Sequence, residues 1–317
     1  MPPDVTIVIP CYNASHTVMR CMKSAVTQTT SEKIEIIAID DCSTDDTYDI
    51  LSRLSKENPS ISIIANNCNS GVSKSRNKGI EAASGKYVTF LDADDEIAPD
   101  FCEHLVNLAM KYDDDIVACN FLRVGGDGNS RRLFCASNPP VAISGSEYSH
   151  DLIHAQFFDN CTGKLFKRTF LQTNNLRFNP MLSFGEDTLF SNLSAIRAKH
   201  ITIDSEYSGY LYYSNPLSCM STIDVSRRIE NLRILLESLK KSVKPDEERL
   251  MLRKSLEYVW TIKKYGGKDR ILLLEKMVKD SLWDEIVLPI ILKYGKLKHR
   301  IAARLLNNGF HTAIKIW

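Results

Sequence analysis

The strongest constraint on this chain is an alternation in its first 120 residues. Short apolar runs of strand character take turns with segments whose apolar residues recur at helical spacing. Residues 5–9, 34–39, 61–65, 87–91 and 116–119 read as strands. Between them, Val18, Met22 and Val26 mark one helix and Ile50, Leu51 and Leu54 a second, which Ser43 or Thr44 is expected to cap. Residues 73–83 read as a third helix, and Leu105 and Leu108 mark a fourth, with Pro99 in its first turn. This order predicts a mostly parallel sheet with helices on both faces. Ligands of such sheets bind beyond the carboxyl ends of the strands. Three of these ends carry polar, acidic or turn-forming residues: Pro10-Cys11-Tyr12-Asn13, Asp40-Asp41 and Asp92-Ala93-Asp94. They are expected to meet at one rim.

Beyond this region, residues 125–138 read as loop and 141–222 as mixed. From residue 223 the pattern turns helical, with Ile229, Leu232, Leu235, Leu236 and Leu239 in one stripe. A further helix is expected from Pro245-Asp246 to Gly266-Gly267. The 317 residues fit one large domain, or a catalytic domain with an appendage. Forty Lys and Arg against 39 Asp and Glu leave a charge of +1, which argues against a general nucleic-acid binder. The longest apolar run, Ile286 to Leu292, holds seven residues including Pro289, whereas a spanning helix needs about 20. The N-terminus enters a strand at once, so no signal peptide is expected. Nine cysteines without a CxxC pair suggest reduced thiols in a cytosolic protein and imply no zinc site.

The carboxylates carry the chemistry. Asp92 and Asp94 stand at i and i+2 where a strand gives way to a turn, so both can face one cavity. Hard cations such as Mg2+ or Mn2+ take oxygen ligands and bridge carboxylates to phosphate. The plainer reading is an acidic turn whose Asp95 and Glu96 cap the next helix. Asp40 and Asp41 can accept from a nucleobase or a ribose, or cap a helix. Arg76 can reach a phosphate, or be a solvated surface charge. Glu186 and Asp187 can cap a helix carrying Leu189, Phe190 and Leu193, or supply a general base with a raised pKa. His150 and His154 lack an acidic companion and read as surface or packing residues. No Gly-x-Ser-x-Gly, P-loop or Gly-x-Gly-x-x-Gly sequence occurs, so serine-hydrolase, P-loop kinase and dinucleotide oxidoreductase readings lack support.

Taken in order, residues 5–13, 39–45, 71–79, 85–95 and 185–187 resemble the family-2 glycosyltransferases of the GT-A fold. The resemblance covers roughly the first 220 residues. It implies a GT-A, Rossmann-like α/β catalytic domain over 1–222, with a nucleotide-sugar half at about 1–120 and an acceptor half at about 121–222. Residues 223–317 then form a helical appendage. The implied activity is inverting transfer from a nucleotide-sugar donor, usually UDP-linked, to a glycan or lipid-linked glycan. The implied setting is bacterial surface-polysaccharide assembly on the cytoplasmic side. Pro10, Tyr12 and Asn13 would line the nucleotide pocket, Asp41 would read uracil and Arg76 would help hold the nucleotide. Asp92, with Ala93 between, would approach the ribose or the metal, and Asp94 would ligate Mn2+ or Mg2+. Asp187 would take the acceptor proton, and Glu186 would support the acceptor or the loop.

Thr162-Gly-Lys-Leu-Phe-Lys167 resembles a mainly structural family segment beside the acceptor. Tyr210-Leu-Tyr-Tyr213, followed by Ser218, resembles the segment closing the catalytic domain. Two departures stand out. The context of His200 does not match that of a metal-binding histidine, and Ser214-Asn215 stands where relatives often have an Arg. A pyrophosphorylase would need a Gly-rich basic loop after the first strand, which Cys11-Tyr12-Asn13 does not supply. A non-catalytic donor-binding or scaffold subunit is the other rival reading.

From Lys293 to Trp317 there are six Lys or Arg and no Asp or Glu. Tyr294, Leu297, Ile301 and Leu305 are expected on one helical face, with Lys293, Lys296, Arg300 and Arg304 beside them. Such a helix can bind an anionic membrane surface or pack on the catalytic domain.

Overall fold

The structure is a computed structural model that describes residues 4–30, 33–125, 129–134, 140–150, 156–214, 224–265, 270–309 and 314. His154, Asn215, Ser218, Gly266 and Gly267, named above, lie outside the described residues, as do 310–313 and 315–317. The chain divides into two compact units, one of residues 1–148 and 153–216, the other of 149–152 and 217–317.

The first unit is built on β1 (Val5–Cys11), β2 (Ile34–Asp40), β3 (Ile61–Ala65) and β4 (Tyr87–Phe90). These four are mutually parallel, as the alternation predicts. Further strands are β5 (Glu96–Ile97), β6 (Ile116–Cys119), β7 (Phe121–Val124), β8 (Ser130–Arg132), β9 (Val141–Ile143), β10 (Lys164–Lys167), β11 (Ile201–Asp204) and β12 (Tyr210–Tyr213). The large sheet runs β3-β2-β1-β4-β10-β6-β11-β9. β10 enters antiparallel to both β4 and β6, and β9 is antiparallel to β11 at the edge. Val5, Ile7, Val8 and Ile9 are all fully buried, because β1 is covered on both faces. A strand covered on both faces reads as a continuous apolar run rather than an alternating one.

Helices α1 (Val18–Val26), α2 (Thr47–Glu57), α3 (Val72–Ala82) and α4 (Phe101–Tyr112) fall between the first strands, followed by α5 (Gly145–His150), α6 (Arg168–Thr173) and α7 (Glu186–Arg197). α1 buries Val18, Cys21, Met22 and Ala25. α3 lies so close to the sheet that a Cβ on Gly79 would stand 2.2 Å from a Val8 methyl. Only glycine allows that approach, and it brings Arg76, one turn earlier, toward the strand ends.

Several local expectations are corrected. Ser43 and Thr44 do not cap α2, which starts at Thr47 after Asp46; they bond to Asn13 across the rim instead. Asp95 and Glu96 do not cap α4, which starts at Phe101 after Asp100. Asp95 accepts from Tyr210 and Tyr213, and Glu96 belongs to β5. Pro99 precedes α4 rather than standing in its first turn. The segment read as loop from residue 125 contains β8, which pairs with β7 in a second sheet ordered β5-β12-β7-β8.

The second unit is helical, as its leucine stripe predicts. Its helices are Val225–Ser242, Met251–Tyr265, Arg270–Val278, Leu288–Tyr294 and Leu297–Asn307, with a π-helical turn at Trp283–Val287. Asp224 caps the first by accepting from the Arg227 N–H. Leu232, Leu235, Leu236 and Leu239 are buried. Pro245 and Asp246 precede the second helix by a 3-10 turn rather than starting it. The tail does not form one helix through Tyr294 to Leu305, because the chain is extended at Gly295 and Lys296. Lys293 pairs with Glu248. The last helix buries Ala302, Ala303 and Leu306 and leaves Leu297 67% and Ile301 44% exposed. Among the described residues, no helix is long and apolar enough to cross a membrane.

Candidate active site

The chain after β1 and the chain after β2 are stitched together. Asn13 takes a left-handed conformation (φ 47°), accepts from the Thr44 N–H at 2.8 Å and donates its own N–H to Ser43. The Ala14 N–H donates to the Thr47 hydroxyl, and the Ser15 N–H to Asp45. Burial acts to raise the Asp45 pKa, but hydrogen bonds from Thr47 and Ser15 outweigh it and hold the carboxyl down at about 2. Pro10 lies half-buried within β1, and Tyr12 projects from the rim, 48% exposed.

At the end of β2, Asp41 is 4% exposed. Its carboxylate accepts from the Asn66 amide at 2.6 Å, the Ser70 N–H at 2.9 Å and the Gly71 N–H at 2.7 Å. Lys78 donates to the Asn66 carbonyl oxygen, completing the link. Asp41 therefore anchors the loop that starts α3, and a nucleobase would compete with these three donors for its oxygens.

At the end of β4, Asp92 and Asp94 are half-buried and Ala93 between them is buried. Arg20 donates to the Asp94 backbone oxygen. The Asp92 N–H donates to the Tyr210 hydroxyl oxygen at 3.2 Å, and that hydroxyl donates to Asp95 at 2.8 Å. Burial, and then the charge of Asp92, push Asp95 up to about 8 against the hydrogen bonds from Tyr213 and Tyr210. Carboxyls thus crowd this turn.

Arg76 joins the distant pieces. It is 4% exposed and donates to Asp92 at 2.8 Å and to Glu186 at 2.9 Å. Its guanidinium lies 5.2 Å from the Phe178 ring centroid, and that ring stacks on Phe190 at 4.0 Å. So Arg76 is a buried bridge, and the solvated-charge reading is set aside.

Asn77, which the sequence reading missed, holds the same segment. Its amide donates to the Phe178 carbonyl at 2.9 Å and its oxygen accepts from the Phe178 N–H at 2.8 Å. Gly185, at φ 80°, turns the chain into α7, so Glu186 and Asp187 sit in the first helical turn. Carboxylates are favoured at that end of a helix. Burial, and next the charge of Glu186, raise Asp187 to about 7, while Arg76 opposes.

Lys164 was also missed as more than a structural motif residue. It is fully buried, donates to the Asn160 side chain at 3.1 Å and the Thr162 carbonyl at 3.0 Å, and burial lowers its pKa to about 8. The carbonyls of Phe158, Asp159 and Asn160 accept from Asn192, Thr188 and Ser191 of α7. A lysine opening a short apolar strand, directly after Gly163, is the signal that marks it. His200 lies just before β11, at the opposite end of the sheet from Asp92, and its carbonyl accepts from Asp115.

Among the described residues, no group of three His, Cys, Asp or Glu side chains is arranged to hold a metal. Asp92 and Asp94 offer hard oxygen ligands from alternate positions in a turn already crowded with carboxyls. That donor set fits Mg2+ or Mn2+ with the remaining ligands coming from phosphate and water.

Residues 6–173 match the model of the family described as glycosyl transferase family 2. The chain therefore belongs to that family. A poly(ribitol-phosphate) beta-glucosyltransferase of Bacillus spizizenii is 32% identical over 65% of this chain and 32% of its own length. The succinoglycan biosynthesis protein ExoO of Rhizobium meliloti is 29% identical over 67% of this chain and 61% of its own length. The chain thus spans less than two thirds of these relatives. The crystal structure of S. aureus TarS 1-349 in complex with UDP-GlcNAc matches 98% of this chain and 90% of that one, at a TM-score of 0.78 and 18% identity. The shared fold is GT-A.

Breaking a buried ion pair by removing one partner destabilises by about 3–5 kcal/mol. Arg76→Met is expected to fall in or just below that range in denaturant melts, since Asp92 is partly exposed. Adding Glu186→Gln is expected to restore part of the loss.

Proposed function

We propose that this protein is an inverting glycosyltransferase. It moves a sugar from a UDP-linked donor to a saccharide or lipid-linked saccharide during bacterial surface-polysaccharide assembly. The observation that carries this reading is the Arg76 bridge, which ties the acidic turn after β4 to the start of α7 and its Asp187. The named roles of the two relatives, on poly(ribitol-phosphate) and in succinoglycan biosynthesis, support the polysaccharide setting.

In this reading residues 1–120 take the nucleotide sugar and 121–222 the acceptor. Pro10, Tyr12 and Asn13 line the nucleotide pocket, and Asp41 shapes it through the loop at 66–71 as well as through any contact to the base. Asp92 and Asp94 would hold Mn2+ or Mg2+, which when bound offsets the charge of the leaving diphosphate. Arg76 holds Asp92 in orientation and ties down Glu186 beside the base. The acceptor oxygen attacks the anomeric carbon opposite the diphosphate, and Asp187 takes its proton. No enzyme nucleophile is required. We place the protein on the cytoplasmic face of the membrane, held by the basic helix Leu297–Asn307, whose exposed Leu297 and Ile301 are flanked by Lys298 and Arg304.

Asp187→Asn is expected to retain UDP-sugar binding and lose transfer; near-normal turnover would remove Asp187 from the role of base. A base must be ionised to work, and the Asp187 pKa is raised to about 7. Log kcat/KM is therefore expected to fall with unit slope below that pH and to level off above it. Asp94→Asn is expected to abolish the Mn2+-dependent part of UDP binding in calorimetry. Deleting residues 293–317 is expected to end co-sedimentation with phosphatidylserine vesicles, and unchanged co-sedimentation would exclude the membrane role.

A further inference from the structure

The second sheet carries a charge arrangement that the chemistry above does not use. Tyr212 on β12 stands opposite Arg123 on β7, and Arg123 stands opposite Arg131 on β8. Like charges directly opposite one another destabilise a strand pair. Among the described residues, no carboxylate pairs with either arginine; Arg123 donates through Nε to the Ser214 hydroxyl at 2.7 Å, and Arg131 is exposed.

This row belongs to the active-site side of the sheet. Residues two apart on a strand share a face, so Tyr212 lies on the face of Tyr210. The Tyr210 ring packs on Phe121 at 5.0 Å and its hydroxyl donates to Asp95. Burial, then Asp95 and Asp94, raise the Tyr212 phenol pKa, and Arg123 opposes them, so the charges of the acidic turn and of Arg123 both act on Tyr212.

We propose that Arg123 and Arg131, with Tyr212 at their inner end, form a binding subsite for a phosphate group of the acceptor. An anion between the two guanidinium groups turns their repulsion into a shared pair of charge-assisted hydrogen bonds. The row leads away from Asp94. Strands are spaced about 4.8 Å apart, so Arg131 stands roughly 10 Å beyond Tyr212, on the edge strand. A phosphate there belongs to a chain leaving the site and not to the donor's diphosphate at the acidic turn. The acceptor class is then a phosphodiester-containing or phosphate-linked glycan. This assignment rests on the glycosyltransferase reading of the same site.

The test uses the whole chain saturated with UDP and Mn2+, a synthetic glycerol-phosphate tetramer as probe and a neutral tetrasaccharide as control. Calorimetry is expected to show tetramer binding that weakens with salt. Arg123→Gln and Arg131→Gln are each expected to weaken it about tenfold. Arg131→Glu separates the subsite from a structural role: it makes an attractive pair with Arg123, so thermal stability is kept or raised while tetramer binding is lost. Three outcomes overturn the proposal: no tetramer binding by the unaltered chain, equal binding by the variants, or a loss confined to UDP affinity. UDP binding and Mn2+-dependent UDP-sugar hydrolysis by the unaltered chain are measured beside these. Their failure would sink the glycosyltransferase reading itself, so the two failures are told apart.

Discussion

One guanidinium holds the candidate site together. Arg76 reaches Asp92 at the end of β4 and Glu186 at the start of α7, segments separated from it by 16 and 110 residues. At 4% exposure its charge is taken out of water, and only two well-placed carboxylates make that tolerable. The same contacts hold down the charge at two points where carboxyls crowd. Without Arg76, Asp92 would stand beside Asp94 and Asp95, and Glu186 beside Asp187, without the guanidinium that Asp92 and Glu186 share.

The bridge depends on packing several layers down. Gly79 lets α3 lie against Val8, which sets the height of Arg76 above the sheet. Asp41 fixes where α3 begins by binding the Gly71 N–H, and Asn77 fixes the Phe178 backbone beside it. Phe178 in turn stacks on Phe190 of α7. Stability and chemistry therefore use the same contacts here. Raising the Asp187 pKa through burial and a like-charged neighbour opposes folding at neutral pH, and the aromatic cluster and backbone bonds around it offset that.

Much of this was legible in order but not in role. The apolar runs of β1 to β4, and the polar residues closing them, marked the rim, because strands covered on both faces leave an unmistakable pattern. A helix-capping Asp95 is only the plainer alternative that local spacing offers, since its true partners Tyr210 and Tyr213 lie more than 110 residues away. Ser43 and Thr44 were misread for the same reason, their partner Asn13 being on another strand end. The antiparallel entry of β10 is not legible in the sequence; four residues with a lysine at each end carry too weak a period to fix a strand's direction. The tail was read as one amphipathic stripe, yet Gly295 interrupts it, and the helix beyond turns its alanines inward.

Local sequence by itself determined the main strands and helices of the first 120 residues, that those strands run parallel, and that acids and an arginine stand where ligands of such sheets bind. Those properties follow from side-chain periodicity and turn chemistry within a few residues. Tertiary structure alone decided that Arg76 is buried between two carboxylates, that Asp41 anchors a loop, and that two arginines face each other across a strand pair. Each of these joins groups far apart along the chain. Their charges act through distance and burial in the folded state, which spacing in sequence does not encode.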